Sequence, residues 1–256
     1  MNHYGKEVTT NFEKLSNFRD IGGLKTTRGN FMKSGVLFRS DELSRATNHD
    51  IDLLQKYNIK VICDLRTPRE CNKKPSPVLL SQGIKMINIP LHDQETHDIS
   101  RKQLVNYIFS KSGGEEFEKF SKNYYHHIAF DRTTQIKEIV NLLSHEGNYP
   151  ALIHCTAGKD RTGYIAALIQ LLVGIPYETV AQEYLMTNHF YETRMEKVIK
   201  VIKVMKWITL FQISPERVKY IFMAQRAVLE EVHDTIIRKY GSIEDYLCEA
   251  CEVERT

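Results

Sequence analysis

Tyr149-Pro150-Ala151-Leu152-Ile153-His154-Cys155-Thr156-Ala157-Gly158-Lys159-Asp160-Arg161-Thr162-Gly163 is the stretch whose reading decides the fold. Its first six residues form a short apolar strand, and from about Thr162 to Leu172 the chain is apolar enough for a buried helix. A strand that passes through a glycine-bearing loop into a helix N-terminus builds an anion site from backbone alone. The first N–H groups of the helix have no intrahelical partner, and the macrodipole adds partial positive charge. Gly158 permits a backbone conformation closed to other residues, so successive N–H groups can curl inward as a nest.

Into this nest the sequence puts Cys155 first and Arg161 last, with five residues between. Electropositive surroundings favour the thiolate, the nucleophilic form of cysteine. A guanidinium grips two phosphoryl oxygens with its planar fork, which an ammonium does not. Cys155 and Arg161 are therefore the expected catalytic pair, with Thr156, Ala157, Gly158 and Lys159 expected to bind substrate along the loop. The Thr162 hydroxyl is expected to hydrogen-bond the sulfur and stabilise it as leaving group. An inert buried cysteine is a common sight at a strand end. It would leave the arginine, the glycine and the strand–loop–helix context unexplained.

Outward from the loop, strands and helices alternate. Lys60–Leu65 reads as a buried strand ending at Asp64, and Ile84–Ile89 as another, closed by Pro90. Asn48–Tyr57 and Thr133–Leu143 carry helical spacing. Glycines at 22, 23, 29 and 35 punctuate short strands and turns. Between about 96 and 130, aromatic residues at helical spacing, broken by Ser112-Gly113-Gly114, predict two helices inserted into the scaffold. From Tyr177 onward the chain reads as helices broken at Ser214-Pro215 and Gly241. The expectation is one α/β domain over 1–256, with a central, mostly parallel sheet flanked by helices and a helical C-terminal part.

Composition excludes little but consistently. The formal net charge of +3 does not suggest a nucleic-acid binder. The five cysteines are odd in number and irregularly spaced, which argues against a disulfide framework. Cys248 and Cys251 have no second pair or histidine cluster to make a zinc site, and read as two thiols on a terminal helix. The first twenty residues lack the apolar core of a signal peptide, and no run is long enough to span a bilayer. A cytoplasmic location is expected, although export without a signal peptide leaves no trace in a sequence. Lys197–Trp207 is basic and amphipathic, more in keeping with a packed helix bearing a solvated lysine face than with a membrane-surface element.

The loop matches the C-x5-R signature of protein tyrosine phosphatases. The longer run His154–Gly163 resembles the bacterial tyrosine/lipid phosphatase family, which includes secreted virulence phosphatases. Asn17-Phe18-Arg19-Asp20-Ile21-Gly22-Gly23, Leu37-Phe38-Arg39-Ser40, Asp64-Leu65-Arg66-Thr67-Pro68-Arg69-Glu70 and Tyr240-Gly241-Ser242 with Tyr246-Leu247 are similar as well, in the family's order. The resemblance implies a dual-specificity-like phosphatase fold, a phosphocysteine intermediate and catalysis without metal or organic cofactor. It also implies a phosphorylated protein or phosphoinositide substrate, with Lys159 supplying a cation for highly anionic substrates.

Such chemistry needs a general acid for poor leaving groups. Asp160, the loop aspartate that the family links to catalysis, ranks first. Asp64, at the strand end where α/β proteins gather ligands, ranks second as acid and is also expected to touch substrate, the alternative being a salt bridge with Arg66 or Arg39. Asp93, on a candidate mobile loop, ranks third. Arg19 and Asp20 are read either as braces for the loop or as stabilisers of the turn before Gly22-Gly23. His154 is read as an orienting neighbour of Cys155. A rhodanese-type sulfurtransferase also sets a cysteine after a strand, but its loop is usually one residue shorter and lacks this arginine. A non-catalytic pseudophosphatase would hold phosphorylated partners in the same nest. Retention of both Cys155 and Arg161 argues against it.

Overall fold

A computed structural model describes residues 12–76, 83–92, 101–110, 112–208 and 215–255. Asp93 lies outside the described residues. Five strands, β1 (Arg19–Asp20), β2 (Leu37–Ser40), β3 (Val61–Asp64), β4 (Lys85–Asn88) and β5 (Ala151–His154), form one sheet in the order β1-β2-β5-β3-β4. Only β1 is antiparallel; β2, β5, β3 and β4 run parallel. The strand leading into the phosphate loop is therefore the sheet's centre, with Ala151 level with Leu37 on one side and Val61 on the other.

Alternation along the strands sorts side chains to two faces. Leu37, Cys63 and Ile153 join the larger core, which also takes apolar residues of α4 (Gly113–Asp131), α5 (Thr133–Ser144), α6 (Asp160–Leu172), α7 (Tyr177–Ile208), α9 (Arg226–Tyr240) and α10 (Ile243–Glu249). Phe38, Ile62 and Leu152 face the other way, onto Leu15, Phe18, Leu43 and the inner side of α1 (Asn48–Lys56). Three central strands buried on both faces explain why they read as unbroken apolar runs rather than as alternating ones. The sheet flanked by helices is as expected.

Within the predicted 96–130 segment the described residues hold two helices, α3 (Arg101–Phe109) and α4, which already starts at Gly113, so Gly113 and Gly114 open the second helix instead of breaking the two apart. Both helices pack with α8 (Pro215–Phe222) through Tyr107, Phe117 and Ile221. The basic stretch Lys197–Trp207 is the last part of α7. The terminal thiols are not both helical, as the sequence suggested. Helix α10 ends at Glu249, and Cys251 lies beyond it, buried in the main core. No described helix is long and apolar enough to cross a membrane.

Candidate active site

Strand β5 ends at His154 and α6 begins at Asp160, so Cys155–Lys159 is the turn at the sheet's centre. Gly158 has φ +62°, the left-handed region, and a Cβ there would stand 2.4 Å from the Ser40 carbonyl oxygen. Both the turn and the close approach to β2 thus require glycine. Helix α6 is buried on nearly every side, and this packing fixes the orientation of its N-terminus under the loop.

Cys155 is 2% exposed and lines a cavity of about 540 Å³, within the range of small-ligand sites. Thr156, Ala157, Lys159, Asp160 and Arg161 line it too, so most of the predicted loop residues share one space with the thiol. Aromatic side chains from three helices stand in its walls: Phe117, Phe120 and Tyr124 of α4, Tyr191 of α7 and Phe222 of α8. α3 adds Leu104.

Arg161 is held in a bidentate pair with Glu70, Nη1 to Oε2 at 2.6 Å and Nη2 to Oε1 at 2.8 Å. Glu70 also accepts from the Thr156 hydroxyl and from the backbone N–H of Thr67. Burial alone would raise its carboxyl, but the Arg161 fork and these donors hold it at about 2. Glu70 was not among the residues expected at the site. The signal present was local: Thr67, Pro68 and Glu70 form the capping box of α2 (Pro68–Lys73), with Pro at its start. Nothing in the sequence ties that cap to an arginine 91 positions away.

Asp160 lies in the first turn of α6, its side chain 33% exposed. Oδ1 accepts from Lys159 Nζ at 2.8 Å and from the Tyr125 hydroxyl at 3.2 Å. Asp64 is placed otherwise than expected. It is 2% exposed, accepts from Arg66 Nε and Nη2 at 2.9 and 2.7 Å and from the Arg66 N–H at 3.0 Å, and does not line the cavity. Burial acts to raise its carboxyl, but Arg66 and the neighbouring His154 outweigh it and hold it below the usual carboxylate range. Its strand-end position places it in an internal ion pair with Arg66. Thr162 also departs from expectation. Its hydroxyl is enclosed and makes no hydrogen bond, so the contact to the Cys155 sulfur is not formed. His154 is fully buried, with Nδ1 3.4 Å from the Cys155 carbonyl oxygen, as a structural neighbour of the nucleophile rather than a base within the cavity. Asp20 caps its own turn, accepting from Gly22 N–H at 2.7 Å and Gly35 N–H at 2.8 Å.

A thiol in the loop that leads into the N-terminus of α6, beside a guanidinium and a carboxyl group that share its cavity, is an arrangement suited to displacement at phosphorus. Sequence comparisons agree with it. A model of the tyrosine phosphatase family matches residues 10–256. The triple specificity protein phosphatase PtpB of Mycobacterium tuberculosis is 27% identical over 262 aligned positions, covering 91% of each chain. A Cupriavidus necator protein, H16_A0669, carried under a provisional tyrosine-protein phosphatase name, is 26% identical over 95% of this chain and 84% of its own. A tyrosine-protein phosphatase of Nostoc commune is 28% identical over 64% of this chain and 52% of its own. The chain belongs to the tyrosine phosphatase family, as a cysteine-dependent enzyme that hydrolyses phosphotyrosine.

Proposed function

We propose that Cys155, Arg161 and Asp160 carry out this hydrolysis by two displacements at phosphorus. The Cys155 thiolate attacks in line with the ester oxygen; the S–P bond forms as the P–O bond breaks. Asp160 gives its proton to the departing phenolate. Water then attacks the phosphocysteine, its proton passes to Asp160, and phosphate leaves with the thiolate restored. Throughout, the loop N–H groups and the Arg161 fork hold the non-bridging oxygens. The observation that carries this reading is that the thiol and Arg161 share one cavity with a wall of aromatic side chains, a fit for a phosphorylated phenol.

Asp160 is supported as the acid by its place in that cavity, while Asp64 is buried behind Arg66. Asp160→Asn should therefore slow phosphotyrosine hydrolysis by about 100- to 10,000-fold, slow an activated aryl phosphate far less, and erase the basic limb of the pH–rate profile. Asp64→Asn and Asp93→Asn, measured in parallel, should show no such leaving-group dependence. Equal losses on both substrates for Asp160→Asn would make Asp160 an orienting residue and move the acid elsewhere.

Phosphoinositides are the second reading, favoured by Lys159 and Lys74 in the cavity lining. Lys159→Ala should then lower phosphoinositide turnover more than turnover of a small aryl phosphate. Equal losses would assign Lys159 to the loop and not to substrate choice.

A further inference from the structure

Three consecutive carbonyls of the phosphate loop are held from outside. The Thr156 oxygen accepts from the Glu42 N–H at 3.2 Å. The Ala157 oxygen accepts from Asn17 Nδ2 at 3.4 Å and from the Tyr191 hydroxyl. The Gly158 oxygen accepts from Asn17 Nδ2 at 2.8 Å and Arg39 Nη2 at 2.7 Å. In a trans peptide the C=O and the following N–H point in opposite directions. Fixing these oxygens outward therefore turns the N–H groups of Ala157, Gly158 and Lys159 the other way, into the nest.

The donors are themselves held in place. Arg39 lies on β2, level with Ile153 of β5, and its Nη1 meets Glu183 Oε2 at 3.0 Å. Arg19 reaches the other Glu183 oxygen through Nε at 2.7 Å, bonds Thr187 Oγ1 at 3.2 Å, and donates to the Asn17 side-chain oxygen. That last bond fixes the Asn17 amide with its NH2 toward the loop. Asn17 and Arg39 are 0% exposed, Arg19 and Glu183 6%. Two guanidinium groups on one carboxylate in a dry interior is a costly way to stabilise a fold, since apolar residues of similar volume commonly do as well or better.

We propose that Asn17 and Arg39 are positioning residues that set the oxyanion-binding geometry of the loop, with Glu183 and Arg19 holding them in register. The proposal rests on the reading of this loop as the phosphate site. It assigns the Asn17 and Arg39 side chains to catalysis through two peptide planes, 157–158 and 158–159, without contact to substrate.

Asn17→Asp tests it, because the shape is kept while an acceptor oxygen replaces the amide NH2 that faces both carbonyls. Loss of hydrogen bonds of this kind corresponds to about a 10- to 100-fold effect. Vanadate, the probe oxyanion, should bind about 10- to 100-fold more weakly, and kcat for an aryl phosphate should fall. The Cys155 thiol should still be alkylated by iodoacetamide, and the melting temperature will show whether the protein is folded. Arg39→Lys, which keeps charge and one donor, should retain more vanadate affinity than Arg39→Met. This pair decides the matter where Asn17→Asp does not fold. Folded Asn17→Asp with wild-type vanadate affinity and kcat would overturn the proposal, as would equal vanadate affinity in the two Arg39 variants. Failure of the wild-type protein itself to bind vanadate or turn over an aryl phosphate would instead remove the underlying phosphatase reading.

Discussion

Asp41 shows how a single side chain near the loop ties stability to pH. It is buried beside the Ser40–Gly158 contact and accepts from the N–H groups of Ser16 and Asn17. Burial pushes its carboxyl up from the ordinary 3.8 to about 6, although those donors pull it down. A carboxyl whose folded value lies above its unfolded one adds stability that is complete below the unfolded value and is lost as pH rises through the folded one. The loss should fall between about pH 4 and pH 6 and amount to no more than about 3 kcal/mol. Asp41→Asn removes the titration and keeps an acceptor. Urea unfolding across that range should give a flatter pH dependence for the variant than for wild type; parallel curves would mean that Asp41 ionises normally. At this scale sequence reading located the thiol, the fork and the loop glycine, because their spacing is local. It misplaced Asp64 and Thr162, whose surroundings are set by Arg66 at one position and by enclosure at the other.

Elements were legible wherever one physical cause dominates. α1 begins at a Thr47–Asp50 capping box, α9 ends at Gly241 with φ +83°, and both boundaries follow local chemistry. α2 is short and has no buried residue, so a cap and the contacts of its acidic side chain hold it more than packing does. Glu70 does two jobs there: its carboxylate closes the cap of α2 and grips Arg161. Glu70→Gln keeps an acceptor for the cap and removes the charge opposite Arg161. It should lower kcat/KM for phosphotyrosine by about tenfold, the scale of one charge-assisted hydrogen bond, while leaving most of the folding stability in place. An unchanged kcat/KM would reduce the pair to a contact that substrate simply displaces. This coupling of α2 to the loop could not be read from sequence, since no pattern within α2 reports what its outer face meets.

At the scale of the whole molecule, the order of strands and helices implied a parallel sheet with its ligand site at the strand ends, and the β2-β5-β3 centre places Cys155 there. What the order could not convey is the cavity wall. The pair α3 and α4 and the pair α7 and α8 come from two distant parts of the chain; they pack through Tyr107, Phe117, Ile221, Met195 and Val218, and Phe117, Ile221 and Met195 also line the space in front of the thiol. Their aromatic residues line the space in front of the loop. In the proposed mechanism, phosphate passes through sulfur. On the role proposed for Asp160, Asp160→Asn should slow the second displacement as well as the first. The most direct measurement is acid quench of Asp160→Asn turning over a phosphotyrosyl peptide, followed by mass spectrometry of its proteolytic fragments. A phosphorylated Cys155 fragment, absent from Cys155→Ser treated identically, is the predicted result. Undiminished phosphotyrosine turnover by folded Cys155→Ser would contradict the account.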